Sequence, residues 1–352
     1  MATLYIDDKP CEFEGSKTIL QVARENGIYI PSLCYHPKTG PASKCRACVV
    51  EVDGMRGLQT SCTVEAKEGL KVYANSEKAV EAQKFVVDLL LSSGTHDCLS
   101  CDQNGHCELQ DAAYHLGLKR PTMNYADIEV EIDDSSEFVH VERNKCIACG
   151  RCVEACNNTV TNEVLGFMHR SNHTAISFDD DKLMGESSCV QCGECAQICP
   201  VGALTDKLSM GQARYWEVEK VQSVCPYCGV GCKLEIHVDR ASNKIVRING
   251  VEGAPTNDGM LCVKGRYGYD FVGHPDRLKT PLIKENGVFR EASWDEATTL
   301  VAQRLGEIKQ KHGADKIMGL ASAKVTNEEN FVFQKFFRTA LGTNNLDHCA
   351  RL

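Results

Sequence analysis

The sequence predicts an α+β chain built from several small domains rather than around one large core. Three observations carry this. Nineteen of the 21 cysteines in the 352 residues fall into tight groups, many spaced C-x2-C. The N-terminal third alternates short strand patterns with Gly, Asn and Asp turns. The far end reads helix, strand, helix. Segments of 50 to 80 residues bury little apolar surface and need a staple, which a bound metal group supplies by coupling ligation to folding. One histidine brings the donors to 20, enough for five four-ligand sites, and thiolates at such spacings hold iron–sulfur clusters.

Composition narrows the classes. The start, Met-Ala-Thr-Leu-Tyr-Ile-Asp-Asp, lacks the basic n-region of a signal peptide. Repeated C-x2-C without a secretory signal favours metal ligation over disulfides. The longest strong apolar run, Phe85 to Leu91, is broken by Asp88, so no membrane span is expected. Net charge −9 argues against nucleic acid as the main partner. The expectation is a soluble, cytoplasmic protein in an anaerobic or otherwise protected setting.

In residues 1–79, Leu4–Ile6 and Cys11–Phe13 read as strands around an Asp-Asp-Lys turn. Thr18-Ile-Leu-Gln21 is a capping box, and Asn26-Gly27 stops that helix. Val49–Val52 alternates ahead of Asp53-Gly54, a hairpin signal. Strand, strand, helix and further strands suggest a ferredoxin-like β-grasp. Cys34, Cys45, Cys48 and Cys62 are spaced C-x10-C-x2-C-x13-C, the first three on a loop rich in Pro, Gly and Ser, which can wrap a cluster; zinc is the alternative occupant. The spacing resembles the 2Fe-2S domain of complex I large iron–sulfur subunits, iron hydrogenases and NAD-linked formate dehydrogenases. Cys11 lies in a strand and reads as a small core residue.

In residues 80–138, Ala79, Ala82, Val86, Leu89 and Leu90 fall on one helical face after Ser76, a cap candidate. The helix delivers Cys98, Cys101 and Cys107, which need a fourth ligand. His96 lies two residues before the first of them, and a neutral imidazole in place of a thiolate raises a site's potential. His106, adjacent to Cys107, is the competitor. Cys98 to Gln110 resembles the His/Cys3 4Fe-4S domain of the same family. Many members place three residues between His and the first Cys, a position that is Gly94 here. The one-residue gap is similar to some soluble NAD-linked hydrogenase subunits.

In residues 139–216, Cys146-x2-Cys149-x2-Cys152-x3-Cys156 is repeated as Cys189-x2-Cys192-x2-Cys195-x3-Cys199-Pro200. In the bacterial two-cluster ferredoxin pattern the fourth cysteine of each run ligates the other cluster. That assigns Cys146, Cys149, Cys152 and Cys199 to one 4Fe-4S cluster, and Cys189, Cys192, Cys195 and Cys156 to another.

In residues 217–273, Cys225, Cys228, Cys232 and Cys262 are spaced C-x2-C-x3-C-x29-C. Leu234, Ile236 and Val238, then Ile245–Ile248, read as a small sheet between the third and fourth ligands. Alone this also suits a zinc ribbon. The run Leu261-Cys-Val-Lys-Gly-Arg266 with His274-Pro-Asp-Arg-Leu-Lys-Thr-Pro281 resembles the opening of molybdopterin oxidoreductases. The resemblance implies a 4Fe-4S cluster beside a Mo or W bis-molybdopterin guanine dinucleotide, with Lys264 between cluster and pterin.

In residues 274–352, Ser293-Trp-Asp-Glu296 is a second capping box, ahead of an apolar face at Ala297, Leu300, Val301, Leu305 and Ile308. Gly313 ends that helix. Ile317–Ala321 suits a buried strand, and Thr326-Asn-Glu-Glu329 starts a helix that Gly342 stops. This suggests the start of an α/β molybdopterin-binding domain with a single strand, leaving Phe331, Phe333, Phe336 and Phe337 without a wall. Gly342 to Leu352 resembles the segment of formate dehydrogenases just before the metal-binding cysteine or selenocysteine. The expectation is therefore a chain ending at a UGA codon, with the catalytic metal ligand after Leu352, Cys349 a neighbour of that site, and no formate turnover by these residues alone.

Together the resemblance implies the N-terminal part of a formate dehydrogenase large subunit of the molybdopterin oxidoreductase family. It would hold one 2Fe-2S cluster, four 4Fe-4S clusters and, in the full-length protein, the pterin cofactor. Formate or CO2 would be its substrate. Its partners would be diaphorase-type subunits, NAD(P)- or ferredoxin-linked, or a hydrogenase subunit. The alternatives are a non-catalytic electron-transfer subunit like that of complex I, an iron-hydrogenase-related subunit and a zinc-stapled scaffold. The paired ferredoxin runs argue against the first of these. The second lacks a remaining cysteine group for a hydrogen-cleaving cluster.

Overall fold

A computed structural model describes residues 1–123 and 131–348. The chain divides into two units, Met1–Glu219 with His237–Arg247, and Lys220–Ile236 with Ile248–Leu352.

The first unit opens with β1 (Ala2–Ile6) and β2 (Lys9–Phe13), an antiparallel hairpin. Asp7 and Asp8 turn it at positive φ, the geometry of a tight two-residue hairpin. Helix α1 (Ile19–Glu25) starts on Thr18, where both hydrogen bonds of the capping box form, and stops at Asn26. Strands β3 (Val49–Val52), β4 (Gln59–Thr60) and β5 (Lys71–Tyr73) complete a five-stranded sheet of order β2-β1-β5-β3-β4. Strands β1 and β5 run parallel, the other neighbours antiparallel. Leu4, Ile6, Leu20, Val22, Val50 and Val72 form its core, with Cys11 fully buried among them.

Helix α2 (Glu77–Ser92) caps on Ser76. Of its expected face, Ala79 is buried and Val86 and Leu90 pack on a core, whereas Leu89 is 42% exposed. Gln83, Val87 and Asp88 are buried beside them, two of these being polar. Gln83 Nε2 donates to Val49 O (2.8 Å) and Ala74 O (3.4 Å), and buried Asp88 accepts from Thr122 N (2.9 Å). Both buried polar groups are satisfied, so they widen the buried face without cost. Helix α3 (Glu108–His115) follows.

The two cysteine runs wrap alike. Each has a residue at positive φ two after its first cysteine (Ala148, Gln191) and a left-handed glycine before a short helix. Gly150 caps α4 (Arg151–Glu154), and Gly193 caps α5 (Glu194–Ile198). Around them, β6 (Val139–Val141) pairs antiparallel with β9 (Leu204–Asp206), and β7 (Leu165–Met168) with β8 (Ala175–Phe178).

Strands β10 (Val218–Val224), β11 (Lys233–Asp239) and β12 (Lys244–Gly250) form a sheet in chain order. The hairpin end of β11 and β12 belongs to the first unit. There Arg247 stacks over Tyr215 (4.3 Å to the ring centroid) and donates to Ser209 Oγ (2.7 Å). On β11 Leu234 of the alternating 234/236/238 set is buried, while Ile236 and Val238 are half-buried and His237, of the other face, is fully buried.

The second unit holds α6 (Val263–Tyr267), the hairpin β13 (Leu282–Glu285) with β14 (Val288–Glu291), and α7 (Trp294–His312). Ser293 Oγ accepts from Glu296 N, but the Glu296 carboxylate pairs with Arg290 instead of closing a capping box. The single-strand expectation is corrected. Strand β15 (Gly319–Ala321) pairs in parallel with β16 (Leu346–His348), across α8 (Asn327–Phe336). Phe337 is buried with Ile317 and Leu341, and Phe333 packs on them. Phe331 (66%) and Phe336 (43%) stay exposed. Cys349 and Leu352, which bore on the expected catalytic ligand, lie outside the described residues.

Candidate iron–sulfur and pterin sites

Every described cysteine is a free thiol. Among the described residues no three ligand-type side chains converge as a mononuclear ion requires; at two sites they line a cavity instead. Cys146, Cys149 and Cys152 of the first run and Cys199 of the second line one small cavity together with Ile147 and Val201. The crossing partner is thus beside the run to which the ferredoxin pattern assigns it. Burial raises Cys146 to about 11, Cys149 to about 12 and Cys199 to about 11, and holds Cys152 well above its usual value. Four thiols that resist ionisation, Cys149 and Cys152 buried and Cys146 and Cys199 half-buried, suit a polycation, whose charge offsets the cost of the thiolates. Cys156 lies within electrostatic reach of Cys189 and Cys195, again across the runs. Backbone amides point at sulfur in both wraps: Ala148 N to Cys146 Sγ (3.4 Å) and Gln191 N to Cys189 Sγ (3.3 Å). Such donors tune cluster potentials.

The loop after α1 brings Cys34, Cys45, Cys48 and Cys62 together. Cys34 and Cys45 share a hydrogen bond that lowers Cys34 to about 5 and, with burial, raises Cys45. Cys48 and Cys62 repeat this, with Cys48 lowered to about 7 and Cys62 raised. In each pair one proton leaves readily and the other is held.

His96, Cys98, Cys101 and Cys107 line one small cavity with Lys145 and Val201. Burial lowers the His96 pKa, so the imidazole is neutral, as a metal ligand requires. Leu90 O lies 3.2 Å from its Nε2 and orients the ring. The competitor, His106, stacks on Tyr215 (4.0 Å, 10° between planes) and is not among the cavity's walls. Gly202 is required here, since a Cβ would stand 2.6 Å from Cys101 Sγ. Lys145 reaches Glu142 (2.7 Å) and Asp97 (3.1 Å).

In the second unit Cys225, Cys228, Cys232 and Cys262 are within electrostatic reach of one another. Cys225 N donates to Cys232 O (2.9 Å). Cys262 caps α6, on which Lys264 is exposed. A cleft of about 280 Å³ opens at the C-terminal ends of β15 and β16, lined by Ser322, Asn330, Gln334, Asp347 and His348. Parallel α/β sheets hold ligands at that edge. Sequence reading missed this cleft because the three-residue β16 has no periodic signal.

Family models cover most of the chain. They are a 2Fe-2S iron-sulfur cluster binding domain (residues 1–77), an NADH-ubiquinone oxidoreductase-G iron-sulfur binding region (83–122) and the ferredoxin-like domain of NADH-quinone oxidoreductase subunit 3 (136–205). A molybdopterin oxidoreductase Fe4S4 domain (218–274) and a molybdopterin oxidoreductase domain (277–352) follow. The chain is 36% identical over 356 residues to an NADH-quinone oxidoreductase subunit from Rhizobium meliloti, matching 100% of this chain and 40% of that protein. It is 31% identical over 385 residues to a Staphylococcus aureus USA300 protein provisionally named a formate dehydrogenase, matching 98% and 39%. The chain therefore spans about two fifths of the length of these curated relatives. A solved structure of an NAD+-reducing NiFe hydrogenase in its H2-reduced state superposes with a TM-score of 0.56 at 32% identity, covering 60% of this chain and 90% of the hydrogenase chain.

Proposed function

Because this chain belongs to the molybdopterin oxidoreductase family and carries 2Fe-2S and 4Fe-4S domains, we propose that it is the electron-carrying portion of a formate dehydrogenase, or CO2 reductase, catalytic subunit. Five clusters would be held by the 20 donors: 2Fe-2S by Cys34, Cys45, Cys48 and Cys62, and 4Fe-4S by each of the other four groups. The cavity shared by Cys146, Cys149, Cys152 and Cys199 carries this reading.

When bound, the clusters supply one-electron carriers and the pterin metal supplies the two-electron chemistry of formate. The chain's own residues do the rest. Amides of Ala148 and Gln191 stabilise charge on sulfur. Neutral His96 sets its site apart from the all-thiolate ones. Lys264, exposed on α6 two residues after Cys262, would stand between that cluster and the pterin, and the cleft lined by Ser322 and Asp347 would form part of the pterin's seat. Electrons would pass to an NAD(P)- or ferredoxin-linked partner subunit.

The likeness to an NADH-quinone oxidoreductase subunit favours a second reading, an electron-transfer protein without its own catalytic metal. The test is anaerobic purification of the protein with its full reading frame, followed by metal, acid-labile sulfide and formate:viologen assays. About 18 irons for the cluster set named here, with Mo or W and formate turnover, support the formate dehydrogenase. Clusters without Mo, W or turnover support the second reading. A colourless, zinc-loaded protein sinks both.

A further inference from the structure

Arg151 stands between two of the candidate cluster sites. Its side chain is 1% exposed, and both ends of its fork bind Glu108 (2.5 and 2.6 Å). Its Nη2 also lies 3.4 Å from Ser32 O, two residues before Cys34. Its charge acts on Cys34 on one side and on Cys149 and Cys199 on the other. Cys34, Leu33, Ile147, Cys149 and Val201 share one apolar core, so little water intervenes. Nε of Arg151 is buried without an acceptor among the described residues, a cost that a negatively charged neighbour offsets.

The internal repeat sharpens the point. Arg151 follows Cys149-Gly150 as Glu194 follows Cys192-Gly193. The two wraps match in backbone, yet one carries a cation and the other a carboxylate at the same place. Their partners differ too. Glu194 pairs with Lys38 at 2.7 Å, both side chains 2% exposed, so two unscreened charges oppose each other. Glu108 is 42% exposed. Solvent screens it while the guanidinium stays in low dielectric, leaving a net positive field inside.

We propose that Arg151 is a positioning residue that clamps the Cys34 loop to the first cysteine run and raises the reduction potentials of the two clusters on either side of it above that of the Cys189 cluster. Reduction adds negative charge, which a fixed buried cation favours. This rests on the cluster reading above.

The experiment is an EPR-monitored redox titration of the cluster-loaded protein, with signals assigned through Cys146→Ala and Cys189→Ala chains. Arg151→Met is expected to lower the reduced-to-oxidised ratio of both flanking clusters about tenfold at a given poise, about 59 mV for a one-electron couple. Glu108→Gln, at a half-exposed site that tolerates change, is expected to shift the same two clusters the opposite way and decides the matter if Arg151→Met does not fold. Arg151→Lys keeps the charge and restores the potentials. The Cys189 cluster stays put throughout. Flanking clusters that do not move in either neutral variant, or all clusters moving together, would overturn the role of Arg151. An unsubstituted protein without iron refutes the cluster reading instead.

Discussion

Asp133 shows what a single side chain does for this fold. It is 2% exposed and accepts from Met184 N (2.8 Å), Ser135 N (3.0 Å) and Ser135 Oγ (2.6 Å). Burial opposes its charge, but these donors outweigh it and hold the carboxyl below the usual range. A depressed folded pKa adds stability that is present above the unfolded pKa and lost as pH falls through the folded one. Asp133→Asn, which sets an amide donor against other donors, is expected to cost about 1–3 kcal/mol at pH 7. The gap should narrow toward the acid limb. Denaturant titrations at pH 7 and well below the usual carboxylate pKa check this, and an equal loss at both would contradict it. The same scale shows where sequence reading stops. The cysteines were legible because ligation demands their chemistry. Arg151, Gln83 and Asp133 were not, because a polar residue reads as surface until its buried partners are known.

At the scale of elements, capping signals at Thr18, Ser76 and Thr326 each start a helix where read. Caps are local, so they survive without tertiary context. Faces are not local. The buried face of α2 takes in Gln83 and Asp88 beside its apolar stripe and leaves Leu89 out, and β16 pairs only because β15 lies beside it. The two cysteine runs make an element-scale prediction about crossing. Cys199→Ser should remove the cluster held by the first run, and Cys156→Ser that held by the second, each with about four irons lost. Iron analysis with EPR reads both, and Cys199→Ser sparing the first-run signal would contradict the crossed assignment.

For the molecule as a whole, the balance of cores differs along the first unit. The N-terminal sheet has an apolar core of its own in Leu4, Ile6, Leu20 and Val50. Around residues 139–206 the buried set includes three thiols, Cys149, Cys152 and Cys195, which a bound cluster would tie together. Chelating the iron under reducing conditions should therefore strip amide-exchange protection from β6 to β9 while β1, β2 and β5 keep theirs. Hydrogen exchange with mass spectrometry separates these segments, and uniform loss across them would contradict the uneven division.

The sequence by itself determined the donors, their spacing and the wraps that present them, because a loop of a few residues between two cysteines has few ways to fold. It could propose that Cys199 belongs with the first run but not seat it there. Tertiary structure decided which distant residues share a cavity, that His96 rather than His106 enters one, that a buried guanidinium stands between two sites, and that a second parallel strand opens a cleft. Those depend on contacts between residues far apart in the chain, whose closure is set by the packing of the whole unit and leaves no local mark.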